Sequence, residues 1–195
     1  MPGKTEGLAD YLFSLSMLKR TERSGWRTIG IQEPESVAEH SFVAALVGSE
    51  LARMEGADEG KVLRMCLLHD LHELRMSDLN KMNQRYVKRN EMMAFSETVK
   101  GAGDGKRMLL LFKEFQEDRS REAVLVRDAD ALEMMLQAKF LLDTGNPYAR
   151  DWIKSAWSKL RSGSAKKLAR VIVKRDSLGW LMRFFDGKRK RGMMG

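Results

Sequence analysis

Apolar residues recur at three- and four-residue intervals along most of the chain, and no stretch alternates polar with β-branched residues. That pattern predicts helices nearly throughout and no sheet. A first helix is expected over about 8–19, followed by the polar connection TERSGWRTIGIQEPE. Ser36-Val37-Ala38-Glu39, placed behind Pro34, reads as a capping box that starts the second helix. Its stripe of Val37, His40, Val43, Ala44, Val47 and Leu51 runs out near EGADEG. A third helix is expected over 58–73, and others over about 85–99, 106–117, 120–142, 148–161 and 165–185. GAGDG at 101–105, Gly145-Asn146-Pro147 and Ser162-Gly163-Ser164 supply the breaks. The reading is a single all-α domain.

Composition adds a compartment and removes several functions. With 195 residues and 43% hydrophobic content, one well-filled core is expected. No apolar run approaches the length of about 18 residues that a membrane span needs, and the N-terminus lacks the apolar core of a signal peptide. The one cysteine, Cys66, allows no internal disulfide, and its flanks Met65, Leu67 and Leu68 make it a packing residue. A cytoplasmic protein is expected. The net charge is +8, and Lys188, Arg189, Lys190 and Arg191 carry half of it. A terminal run of this kind attracts polyanions in general. The remaining excess suits an enzyme acting on a small anion.

The candidate chemistry is concentrated. All three histidines, His40, His69 and His72, lie between positions 40 and 72. His40 sits in the apolar stripe of the second helix. CLLHDLHE at 66–73 places His69, Asp70, His72 and Glu73 behind an apolar run. Burying polar groups costs roughly 2–7 kcal/mol each unless something satisfies them, and imidazoles beside carboxylates are the inventory of a divalent cation site. The residue order matches neither H-E-x-x-H nor H-x-x-E-H, so a metalloprotease is excluded. Adjacent His69 and Asp70 point about 100° apart on a helix and meet one ion only at a helix edge or end.

SVAEHSF, LLHDLHE and RDADALEMMLQA, in that order on expected helices, resemble the signatures of the HD-domain metal-dependent phosphohydrolases. Within that superfamily, Gly25-Trp26, PESVAEHS at 34–41 and EMMLQA at 133–138 resemble the 5′-deoxynucleotidase branch. The resemblance spans residues 8–142. It implies an HD-domain helical bundle over 1–187 with a basic, flexible tail at 188–195. It also implies that His40, His69, Asp70 and Asp130 bind one divalent ion. Periodicity leaves Asp128 and Asp130 both open; register against DALEMMLQA favours Asp130, leaving Asp128 solvated or in touch with a ligand. His72 is expected to be a neutral core histidine or one that touches a ligand.

The same resemblance makes Glu73 the acid that positions the attacking water, Asp78 the residue that senses the sugar at its 2′ and 3′ side, and Trp26 the aromatic that packs there. Without it, the three read as a surface acid, a helix cap and a loop anchor. Some members carry an arginine directly before the tryptophan, where this chain has Gly25. Arg23, Arg27, Lys88 and Arg89 are therefore the candidates for phosphate contact. The implied function is removal of the 5′-phosphate from (deoxy)nucleoside monophosphates by a metal-activated water. The ion is manganese, cobalt, iron, nickel or zinc, since a His₂Asp₂ set accepts them all. A homodimer is expected, with nucleic acid an unlikely partner. Two alternatives stand beside this reading: an HD hydrolase of nucleoside triphosphates, and a basic nucleic-acid-binding protein with an inactive HD core.

Overall fold

In the computed structural model, residues 3–192 are described, with side chains as far as 185. Of the expected tail 188–195, the backbone of 188–192 continues the last helix, and 193–195 lie outside the described residues. The helices are α1 (Lys4–Ser16), α2 (Val37–Glu55), α3 (Glu59–Leu68), α4 (Glu73–Met76), α5 (Lys81–Gln84), α6 (Glu91–Thr98), α7 (Gly105–Gln116), α8 (Arg121–Asp143), α9 (Ala149–Lys159), α10 (Gly163–Ile172) and α11 (Gly179–Gly192). Short 3₁₀ turns at Met17–Arg20, Trp26–Ile29 and Val99–Gly101 complete the order. Among the described residues the only β pairing is an isolated bridge between Glu22 and Ser36. The all-α reading holds.

The core forms around α8, which buries residues on most of its circumference, including Leu125, Val126, Leu132 and Met135. A helix enclosed on nearly all sides packs against several neighbours, here α2, α3, α7, α9 and α10. The α2–α3 approach depends on Gly48: a Cβ there would lie 2.7 Å from Cys66 Sγ and 3.0 Å from Val62 Cγ1. Cys66 is fully buried, and burial pushes its thiol up, so it is inert packing as expected. Phe95 and Phe112 stack at 4.0 Å, in near-parallel planes, beneath α6 and α7.

The Ser36 capping box is present: Glu39 N–H donates to Ser36 Oγ at 3.2 Å, and Ser36 N–H donates to Glu39 Oε2 at 2.7 Å. The stripe on α2 is narrower than expected. Val37, His40, Ala44 and Leu51 are buried, whereas Val43 is exposed together with Phe42 and Leu46.

Three expected helices are interrupted. The one over 58–73 stops at Leu68, turns through 69–72 and restarts as α4. His69 is the cause: its Nδ1–H donates to the Cys66 carbonyl at 2.6 Å, satisfying a last-turn acceptor that a continuing helix would have used. The stretch 85–99 yields only α6, begun by Asn90, whose side chain accepts from Met93 N–H at 3.1 Å. The stretch 165–185 is broken between α10 and α11.

Candidate metal centre

Three elements meet at the broken end of α3. His40 comes from the second turn of α2, His69 and Asp70 from the turn after α3, and Asp130 from the middle of α8. His40 Nε2 lies 3.3 Å from His69 Nε2, 3.3 Å from Asp130 Oδ1 and 3.8 Å from Asp70 Oδ2. His69 Nε2 lies 3.2 Å from Asp70 Oδ2. Nitrogen and oxygen ligands held 2.0–2.2 Å from one ion stand roughly 3.0–3.5 Å apart; His40 stands at that spacing from His69 and Asp130, and His69 from Asp70, so the cluster could hold a divalent cation. Both imidazoles are enclosed, His40 completely, and Phe115 packs edge-on against the His69 ring at 6.0 Å.

The electrostatics fit a cation site. Burial alone would raise the Asp70 and Asp130 carboxyls. His69, Arg23 and His40 hold Asp70 well below the usual carboxylate range, and His40, Arg23 and His69 do the same for Asp130. Burial and Arg23 would lower His40, yet its hydrogen bonds to Asp130 and Glu133 push it up to about 10, so that without an ion a proton on Nε2 supplies the positive charge that a bound cation would replace. Arg23 lies over the carboxylates, 3.0 Å from Asp70, 3.6 Å from Asp130 and 4.0 Å from Asp78.

A cleft of about 390 Å³ opens beside this cluster, lined among others by Arg23, Trp26, Glu73, Asp78, Arg89 and Trp152. The loop that brings Arg23 and Trp26 here is clamped at its ends, where Arg23 N–H donates to the Glu35 carbonyl and Val37 N–H to that of Thr21. Trp26 is buried, packs against Trp152 with ring centroids 4.7 Å apart and planes tilted by 35°, and donates its indole N–H to Glu35 at 2.7 Å. Asp78 is not a helix cap. Its Oδ2 accepts Ser24 N–H at 2.9 Å, which ties this loop to the segment after α4. Ser77 before it takes φ 61° and ψ 160°, a strained conformation that glycine alone adopts freely.

Glu73 is not a surface acid. Its side chain is 5% exposed and Oε2 has no hydrogen-bond partner. Burial, then Asp70 and Asp78, push its carboxyl up to about 10. His72 is buried against Phe112, and its Nε2 accepts from Arg89 Nη2 at 2.9 Å. Burial first moves its pKa down, so it is neutral.

Two expectations need correction. Lys88 is exposed and does not line the cleft; the chain turns so that its neighbour Arg89 does. Asp128 is not solvated. It is completely buried, and its two oxygens accept the backbone N–H groups of Arg161 and Ser162 at 2.7 and 2.8 Å, where α9 gives way to α10. Arg27 pairs with Glu22 on the surface.

Sequence reasoning missed Glu133, Glu35 and Trp152. The signal for Glu133 was its i+3 spacing from Asp130, which puts both on one face of α8. Burial, then the nearby Glu133, push the Glu35 carboxyl up to about 7.

Comparison with known proteins agrees with this geometry. The HD domain family model matches residues 15–168. A 5′-deoxynucleotidase HDDC2 of Dictyostelium discoideum is 33% identical over 134 residues, covering 62% of this chain and 70% of that protein. The human 5′-deoxynucleotidase HDDC2 is 26% identical over 136 residues, covering 67% of this chain and 66% of the relative. The crystal structure of the PH0347 protein from Pyrococcus horikoshii superposes with a TM-score of 0.71 at 30% identity, covering 85% of this chain and 98% of that one. No helix among the described residues is long and apolar enough to cross a membrane. From the match over most of its length and the convergence of H, HD and D on one cluster, the chain belongs to the HD-domain family of metal-dependent phosphohydrolases.

Proposed function

We propose that this protein is a 5′-deoxynucleotidase, releasing inorganic phosphate from deoxynucleoside 5′-monophosphates. The observation that supports it most is the convergence of His40, His69, Asp70 and Asp130 beside a cleft lined by the last three together with Glu73, Asp78 and Trp26. Those four residues would hold one divalent ion, which supplies Lewis-acid activation of the phosphoryl group and of water.

The chain's own residues account for the remaining steps. Glu73 lies in the cleft with a free oxygen and would take the proton of the attacking water once a bound cation offsets the Asp70 charge that helps to hold its carboxyl protonated, a transfer typically worth about 10²–10⁴-fold. Arg89, whose Nη2 donates to neutral His72 and whose Nε lies 3.4 Å from Glu91 Oε1, lines the cleft and binds a phosphate oxygen. Arg23 offsets the charge of the carboxylates nearby and contributes to phosphate binding. Trp26, locked between Trp152 and Glu35, packs on the deoxyribose. Asp78 leaves too little room for a 2′-hydroxyl.

A homodimer fits the exposed apolar face of Phe42, Val43 and Leu46 on α2. A cytoplasmic setting fits the single buried thiol of Cys66.

The test is phosphate release from a panel of deoxy- and ribonucleoside 5′-monophosphates and deoxynucleoside triphosphates, using metal-stripped and metal-restored protein. Metal-dependent release from deoxynucleoside monophosphates is expected. Release of pyrophosphate or triphosphate from the triphosphates alone would replace this reading with triphosphate hydrolysis. Asp78→Ala is expected to lower the deoxy-over-ribo ratio of kcat/KM by about tenfold or more, a loss of roughly 1.4 kcal/mol in discrimination. Because the substitution also frees Ser24 N–H, KM is expected to rise for both sugars, and the ratio is the quantity that decides. An unchanged ratio removes Asp78 from sugar selection.

A further inference from the structure

We infer that Glu133, on α8, is a positioning residue that fixes the tautomer and ring orientation of His40. This rests on the reading of His40 as a metal ligand. His40 Nδ1–H donates to Glu133 Oε2 at 2.5 Å, in a pocket where His40 is 0% exposed and Glu133 4% exposed. An ionised carboxylate only accepts hydrogen bonds, so the contact keeps a proton on Nδ1. Nε2 is then left as the ligating atom, facing His69 Nε2 and Asp130 Oδ1 at 3.3 Å each.

The two histidines are oriented in different ways. His69 donates its Nδ1–H to the backbone carbonyl of Cys66, an acceptor that any residue at that position would supply. His40 depends on one side chain. Glu35 lies beside that pair: Glu35, His40 and Glu133 each place a ligand atom within 4.8 Å of one another, and Glu35 is itself held by the Trp26 indole. Carboxylates that orient metal-bound histidines also raise their basicity, and losing one typically costs 10–100-fold in metal affinity.

The test is titration of Co²⁺ into metal-stripped wild type, Glu133→Gln and Glu133→Asp, followed by visible d–d absorption, with folding checked by far-UV circular dichroism. The Gln side chain has nearly the same shape but no charge. Its amide oxygen can accept from Nδ1–H and its amide nitrogen can donate to a bare Nδ1, so neither tautomer is selected. Folded Glu133→Gln is expected to bind Co²⁺ about 10–100-fold more weakly than wild type, with altered d–d bands. Glu133→Asp, which keeps the charge at a longer reach, is expected to fall between the two.

Equal affinity and identical bands in folded Glu133→Gln would overturn the inference. Should that variant fail to fold, Glu133→Asp decides by the same two readouts. Wild type that binds no Co²⁺ would overturn the inference together with the metal assignment. A failure on nucleotides with Co²⁺ bound would overturn the substrate reading alone.

Discussion

Asp70→Ala is expected to reduce phosphate release from deoxynucleoside monophosphates by about a thousandfold or more at saturating divalent metal. Asp70 lies 3.2 Å from His69 Nε2 and 3.8 Å from His40 Nε2, and it carries one of the two negative charges in the donor set. Its removal takes away a ligand and leaves the Arg23 guanidinium facing the same site with one carboxylate fewer. Both effects weaken cation binding. Lewis-acid stabilisation at a phosphoryl group is worth several kcal/mol, and about 4 kcal/mol corresponds to roughly a thousandfold in rate. Metal content after dialysis should fall in parallel. The half-buried Arg23 charge loses its shortest ion pair, so the variant should also melt earlier, and rates are to be compared well below its transition. Wild-type turnover by folded Asp70→Ala would remove Asp70 from the reaction.

Two residues before Asp130, the opposite behaviour is expected. Asp128→Ala should cost about 3 kcal/mol of stability while folded molecules keep their metal and their turnover. The Asp128 carboxylate accepts two backbone N–H groups, from Arg161 and Ser162, in a fully enclosed place. Hydrogen bonds to a charged group contribute roughly 1.5–3 kcal/mol each, and unpaired buried donors carry the desolvation penalty. For a chain of this size, about 3 kcal/mol lowers Tm by roughly 6–12 °C. Asp128→Asn keeps one acceptor and should lose less. Thermal unfolding by circular dichroism and metal analysis on the same samples separate the two aspartates. A loss of metal without a loss of stability in Asp128→Ala would reverse their roles.

The fold class was legible because helical periodicity is a local property, carried by neighbours three and four positions apart. The capping box at Ser36–Glu39 was legible for the same reason. The interruption at 69–72 was not, because it turns on the His69 ring bonding back to the Cys66 carbonyl, which no periodicity records. His40 and the His69-Asp70 pair stood out because polar residues were embedded in apolar runs, where burial demands a partner. Glu133 did not stand out: on a helix that is enclosed on nearly every side, an acid in sequence looks like a solvated one.

Lys88 and Arg89, or Asp128 and Asp130, differ little in sequence; the path of the backbone after α5 and the packing of α9 and α10 on α8 separate them. The amino-acid sequence by itself determined the helical class, the inert thiol and the inventory of metal-binding groups, since these follow from residue type and local spacing. Only the tertiary structure decided which carboxylates face the histidines, which one holds a chain corner, and which cation enters the cleft. Those are contacts between helices far apart in the chain, and their energies exist only once the core has brought the helices together.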